Sequence, residues 1–138
     1  MARYRKLGRT SDQRKALLRS QVTALLFNGK IVTTEAKAKE VKDGKKVTVY
    51  DEVEKEIKKD MPSRLHARRQ MLKVLYAVTD VPKAAAGRKK GTKEIDMPAK
   101  LFDEIAPKYT TRNGGYTRIV KIGQRKGDGA MEVLLELV

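Results

Sequence analysis

The spacing of apolar positions changes several times along the chain, and each change predicts an element. Leu18, Val22, Leu25 and Leu26 recur at helical spacing. Thr10-Ser11-Asp12-Gln13 offers the start of that helix, with Thr10 as N-cap and Gln13 completing a capping box. Asn28-Gly29 ends it, since both residues tolerate the left-handed conformation of a C-cap. Ile31-Val32-Thr33 is β-branched and predicts a short strand. Thr34 then caps a second helix to about Val41, where Asp43-Gly44 stops it. Val47-Thr48-Val49-Tyr50 alternates and is β-prone, and residues 51–59 form a short charged helix candidate. Asp60 caps a longer helix with Pro62 in its first turn, where a missing N–H costs nothing. That helix is expected to reach about Val78, with Leu65, Leu72, Leu75 and Val78 as its apolar face.

Residues 79–93 hold Pro82, three alanines, Gly87 and Gly91, the composition of a loop. Asp96 opens a further helix with Pro98 in its first turn. Leu101, Phe102 and Ile105 are expected to face the core, and Pro107 to close the helix. Asn113-Gly114-Gly115 is a turn signal. Two strands follow, 116–122 and 130–138. In the second, Met131, Val133, Leu135 and Leu137 alternate with Glu132 and Glu136. Arg125 and Lys126 sit at the tip of the loop between them. The pattern as a whole predicts a single small α/β (α+β) domain over residues 10–138: helix, strand, helices, then a β-hairpin. Residues 1–9 are a basic extension without a core. Residues 42–60 and 79–96 are a variable insert and a loop.

Composition narrows the chemistry. The 138 residues carry 32 Lys and Arg against 17 Asp and Glu, a net charge of +15. No Cys is present, which excludes disulfides, thiolate metal sites and a cysteine nucleophile. The best apolar run, residues 22–27, falls far short of the roughly 20 residues that span a bilayer. No signal core follows the basic N-terminus, so the chain is expected to be cytoplasmic. An excess of this size points to a polyanionic partner, most often nucleic acid.

The distribution of charge says more than its sum. Residues 1–21 hold Arg3, Arg5, Lys6, Arg9, Arg14, Lys15 and Arg19 against Asp12. Residues 61–93 hold nine basic groups against Asp80. Together these blocks account for +14, while residues 35–60 are neutral. Such segregation is the pattern of a binding footprint. In the long helix, Arg64 and Arg68 are four apart, as are Arg69 and Lys73. Like charges at that spacing repel by roughly 0.2–0.5 kcal/mol per pair. No acid within the helix offsets them, and an anionic partner would. Arginine's planar fork suits phosphate oxygens. Arg88, Lys89 and Lys90 extend the basic block into the loop. Tyr4, between Arg3 and Arg5, is placed to stack on a base. Asn113, Tyr116 and Arg118 at the late turn, with Arg125 and Lys126, complete the candidate contacts.

Catalysis finds little support. His66 is the single histidine, and its neighbours Arg64, Arg68 and Arg69 disfavour the imidazolium. A polar contact to RNA suits it better than a general-base role. Asp103 and Glu104 adjoin in sequence, diverge on a helix and read as solvated. No metal, cofactor or small-molecule substrate is implied. Composition does not separate RNA from duplex DNA.

Several segments resemble one family. Tyr4-Arg-Lys-Leu-Gly-Arg-Thr-Ser-Asp-Gln-Arg-Lys-Ala16 is similar to the opening of bacterial large-subunit ribosomal protein L17. So are Thr33-Thr-Glu-Ala-Lys-Ala-Lys-Glu-Val41, Leu65-His-Ala-Arg-Arg-Gln70 and Lys100-Leu-Phe-Asp-Glu-Ile-Ala-Pro-Lys-Tyr109. Arg112-Asn-Gly-Gly-Tyr-Thr-Arg-Ile119 and Glu132-Val-Leu-Leu-Glu-Leu-Val138 match as well. The resemblance implies a non-enzymatic structural component of the large subunit. Its partners would be 23S rRNA and neighbouring large-subunit proteins, with the chain a monomer near the nascent-chain exit and no membrane contact. It also implies an α/β fold with a small mixed sheet. The chain departs from the family pattern at residues 42–63, and the loop 79–96 is extended.

Overall fold

The structure is a computed structural model that describes residues 5–43, 62–81 and 92–138. The β-prone run at 47–50, the helix candidate at 51–59 and the Asp60 cap lie outside the described residues. So do Arg3, Tyr4 and the basic loop residues Arg88, Lys89 and Lys90. The chain forms two compact units, residues 1–56 with 111–138, and residues 57–110.

The first unit contains α1 (Ser11–Asn28), β1 (Lys30–Thr34), α2 (Glu35–Asp43), β4 (Thr117–Gln124) and β5 (Met131–Leu137). Its sheet has the order β1-β5-β4. Both pairings are antiparallel, so the sheet is not the mixed one expected. The tight hairpin fixes β4 against β5. On the other edge, the Leu137 N–H donates to the Gly29 carbonyl at 2.9 Å, which sets β1 beside β5 in the opposite sense. Gly29 is the C-cap of α1, at φ 76, a conformation that costs glycine little. Thr10 occupies the N-cap position of α1 in extended geometry, but its side chain makes no capping bond. Thr10 and Gln13 are both exposed, and water can serve first-turn N–H groups there.

The alternation read from β5 places Val133 and Leu135 on one face, both with no exposure, against Leu25 of α1 and Ala38 of α2. Ile31, Val41, Ile119, Met131 and Leu137 pack around this core. One extra residue, Ile122, interrupts the β4–β5 register between Lys121 and Gly123.

The second unit contains α3 (Pro62–Leu72), β2 (Val78–Asp80), β3 (Lys93–Ile95) and α4 (Met97–Lys100). Helix α3 ends six residues before the expected Val78. The chain leaves it by a turn in which Val74 and Leu75 N–H groups both donate to the Met71 carbonyl, at 2.9 and 2.8 Å. Val78 then pairs with Ile95 in a short antiparallel ladder. The helical spacing of Leu75 and Val78 was thus overridden by a pairing with a distant segment. None of the residues of α3 is buried, and Leu65 and Leu72 are exposed rather than core. Among the described residues of this unit, Leu75, Met97 and Pro98 are the buried ones.

Asp96 caps α4 as expected, accepting the Ala99 N–H at 3.4 Å. The helix does not close at Pro107. It widens into a π-type turn at Leu101–Ile105 and tightens into a 3₁₀ turn at Ala106–Tyr109. Proline is tolerated there because it stands at the first positions of that last turn. Leu101, Phe102 and Ile105 are half-buried, whereas Met97 and Pro98 carry the buried contacts.

Candidate nucleic-acid interface

The described part of the N-terminal segment is not a free tail. The Arg9 N–H donates to the Lys6 carbonyl at 3.1 Å, closing a turn in which Leu7 adopts φ 54 and Gly8 φ 64. Arg9 Nη1 also donates to the Leu7 carbonyl at 3.0 Å. Arg5 is tied to α2: its backbone N–H donates to Glu40 Oε2 at 3.3 Å, and its Nη1 lies 3.5 Å from the same oxygen. Glu40 is itself buried. The segment thus starts from a fixed point on the fold. Lys6, Arg9 and Lys15 are exposed, and Arg14 and Arg19 are half-buried on α1.

Helix α3 has two different sides. Arg64 and Arg68, four residues apart, both meet carboxylates from the segment that follows β3. Arg64 Nη2 lies 2.9 Å from Asp103 Oδ1, and its guanidinium carbon sits 4.7 Å above the Phe102 ring. Arg68 Nη2 lies 2.5 Å from Asp96 Oδ2. This hydrogen bond above all holds the Asp96 carboxyl below its ordinary range, despite some desolvation. The repulsion expected between Arg64 and Arg68 is therefore offset inside the protein. The sequence reading missed it because the acids stand outside the helix, 39 and 28 positions away. Asp103, read as solvated, is a partner of Arg64, and Phe102, read as a core residue, is its platform.

The other side of α3 is different. His66 and Arg69 are three apart on α3, which places them roughly opposite Arg64 and Arg68, and Lys73 follows in the turn just past the helix. All three are exposed. His66 Nε2 lies 3.5 Å from Gln70 Nε2, a weak contact along the helix. Among the described residues, no carboxylate pairs with Arg69 or Lys73.

The hairpin repeats the division. Arg125 donates from Nε and Nη2 to the two oxygens of Asp128, at 2.9 and 2.6 Å. That two-point grip draws the Asp128 carboxyl down to about 2, aided by the Ala130 N–H, and raises Arg125 further. Lys126, beside it, is exposed and pairs with no carboxylate among the described residues. On β4, Arg118 is bound to Glu136 of β5 at 2.6 Å, on the sheet face away from the helices. Lys121, on the other face, lies 3.9 Å from Glu35 of α2. Glu35 is held below its ordinary range, first by its hydrogen bond from Lys39 and then by the Lys121 charge. The Tyr116 hydroxyl donates to the Arg112 carbonyl at 2.9 Å, which fixes the Asn113 turn, and Asn113 itself is exposed.

A cleft of about 370 Å³ in the second unit is lined by Leu72, Leu75, Tyr76, Ile95 and Met97, with the Arg68–Asp96 pair at its polar end. Among the described residues, no three His, Asp or Glu side chains converge on a metal-sized site. No described helix is long and apolar enough to cross a membrane.

Two basic surfaces thus emerge from the sequence candidates, one at the N-terminal segment and one on the outer side of α3. Glu40, Asp96 and Asp103 are the acids that fix the arginines beside them. The profile of the family described as Ribosomal protein L17 matches residues 17–138. The large ribosomal subunit protein bL17 of Lachnospira eligens is 64% identical over a 178-residue alignment that takes in the whole of both chains. The bL17 proteins of Acetivibrio thermocellus and Clostridium botulinum are 45% and 49% identical, again over the full length of each. That family is one of structural proteins, not of enzymes. With its fold, its basic surfaces and this end-to-end likeness together, the chain belongs to the ribosomal protein L17 family.

Proposed function

We propose that this structural ribosomal protein sits in the large subunit and grips 23S rRNA through two basic surfaces. The first is the N-terminal segment with Lys6, Arg9, Arg14, Lys15 and Arg19. The second is the outer side of α3 with His66 and Arg69, and Lys73 just past its end. Lys126 and Asn113 add contacts at the hairpin and the late turn. Arg3, Tyr4 and Arg88 to Lys90 extend the two surfaces in sequence. Arg5, Arg64, Arg68, Arg118 and Arg125 serve mainly to set the geometry, because each already holds a carboxylate. The position near the nascent-chain exit, with neighbouring subunit proteins as further partners, belongs to the same proposal.

The observation that carries this reading is α3. It is an 11-residue helix without a buried residue and without an acid, so burial does not explain its composition. Two ion pairs orient one side, which leaves the cations of the other side aimed outward at no protein partner among the described residues. Such cations bind phosphates and displace counterions, which makes affinity fall steeply with salt.

The test compares the chain with an Arg69→Ala, Lys73→Ala double variant for 23S rRNA binding over a salt series. Each lost phosphate contact lowers the log–log salt slope by about 0.7–0.9. The expected result is weaker binding and a slope smaller by about 1.4–1.8 for the pair. An unchanged slope removes α3 from the interface. Absence of the chain from salt-washed large subunits overturns the ribosomal placement itself.

A further inference from the structure

Glu40 is an acid at 7% exposure on α2, whose Ala38 and Val41 belong to the core of the first unit. A carboxylate at that depth is costly unless it is paired and hydrogen-bonded. It also stands in the unit that carries the basic N-terminal segment. On charge alone, an acid there weakens the attraction for a polyanion.

Its partner lies 35 positions away, and both contacts are made by Arg5 to the same oxygen. The Arg5 backbone N–H donates to Oε2 at 3.3 Å, and Arg5 Nη1 lies 3.5 Å from it. One contact holds the main chain and the other the side chain, so together they set a direction for the segment. The chain then reverses through Leu7 at φ 54 and Gly8 at φ 64. A leucine keeps that left-handed conformation only where its surroundings hold it. Here the Arg9 N–H closes the turn on the Lys6 carbonyl, and Arg9 Nη1 donates to the Leu7 carbonyl. Helix α1 begins two residues later, at Ser11. The segment is thus held by Glu40 at one end and by α1 at the other, and Lys6 and Arg9 between them are exposed. A segment that orders only on binding loses affinity to its own conformational entropy. One held in place beforehand loses less.

We infer that Glu40 is a positioning residue for RNA binding. By holding Arg5 it sets the turn that presents Lys6 and Arg9, so that removing this acid weakens the grip on a polyanion. The inference rests on the proposed contact between the N-terminal segment and rRNA.

The test compares the full chain with Glu40→Gln and Glu40→Met. Both variants remove the same charge and nearly keep the volume of the side chain. Gln retains an acceptor for the Arg5 N–H, whereas Met retains none. An apolar replacement of similar volume at a buried ion-pair position leaves stability close to neutral. Binding to 23S rRNA is measured at one salt concentration, and backbone NMR order parameters of residues 5–9 are measured without RNA. Charge alone predicts that both variants bind equally and more tightly. Positioning predicts a loss of about threefold for Gln and about tenfold for Met, with order parameters falling in the same sequence. The Lys6→Ala, Arg9→Ala double variant separates placement from damage to the fold. In that background Glu40→Met should cost no further affinity, whereas a fold defect costs the same in both backgrounds. Binding as tight as the parent's in both Glu40 variants overturns the inference. So do unchanged order parameters, or an equal loss in the two backgrounds. If the Lys6→Ala, Arg9→Ala variant itself binds like the parent, the proposed role of the N-terminal segment fails first and this inference falls with it.

Discussion

The two compact units solve the same problem by different means. The first packs aliphatic side chains of two helices against one sheet face, around Leu25, Ala38, Val133 and Leu135. The second buries little and ties its basic helix with ion pairs to Asp96 and Asp103. Burial of apolar area is worth kilocalories per side chain, whereas exposed ion pairs are worth a fraction of one. A leucine should therefore matter very differently in the two places. Leu135→Ala, at a position with no exposure, should lower unfolding free energy by about 2–5 kcal/mol. Leu72→Ala, at a position 52% exposed, should change it by less than about 0.5 kcal/mol. Urea unfolding of the two variants measures both. Similar losses would mean that Leu72 is buried in solution.

The same contrast explains what could be read from the chain and what could not. The elements of the first unit were legible because local pattern and final packing agree. Leu25 lies on the stripe of α1, Gly29 ends that helix, and the alternation of β5 assigns its core face correctly. The second unit misled. Leu65 and Leu72 have helical spacing yet no core to enter, and Val78 left the helix to pair with Ile95. The basic candidates were found from charge alone, but their division into anchored and outward-facing sets was not. That division depends on Glu40, Asp96 and Asp103, whose partners lie 35, 28 and 39 positions away. No local spacing encodes such pairs. Asp96 was noticed as a cap, and nothing in its surroundings announced that it also holds Arg68.

The anchored side of α3 offers the next smaller effect. Asp96 both caps α4 and binds Arg68. Asp96→Ala should cost about 0.5–2 kcal/mol through the cap, with the exposed ion pair adding about 0.2–1 kcal/mol. Only the ion-pair share should fade as salt rises. The pH dependence follows from the sign of the shift. The folded carboxyl titrates below its ordinary value of 3.8. Its contribution is therefore complete above that value and is lost as pH falls through the lower folded one. Asp96→Asn keeps a capping oxygen and loses the charge, so it should retain most of the cap and abolish this acid dependence. Urea unfolding at two salt concentrations and across acidic pH separates the two shares.

The smallest effect is at the hairpin, where charge acts without burial or distance. Arg125 and Asp128 are three residues apart, both exposed, and joined by two hydrogen bonds. Solvent screens such a pair, so global stability should barely respond to its loss. Its signature is local. The Asp128 carboxyl should titrate at about 2, against 3.8 for a carboxylate without this partner. Because the folded value is the lower one, the pair is intact above 3.8 and opens as pH falls through 2. A carboxyl-carbon NMR titration reads this directly. Arg125→Ala should move the midpoint upward, with the Ala130 N–H still favouring the charged form. A midpoint already near 3.8 in the parent chain would mean that Arg125 is not held in solution. Arg125 would then join Lys126 among the outward-facing cations, and Arg118, bound to Glu136, would be left as the anchored arginine of the hairpin.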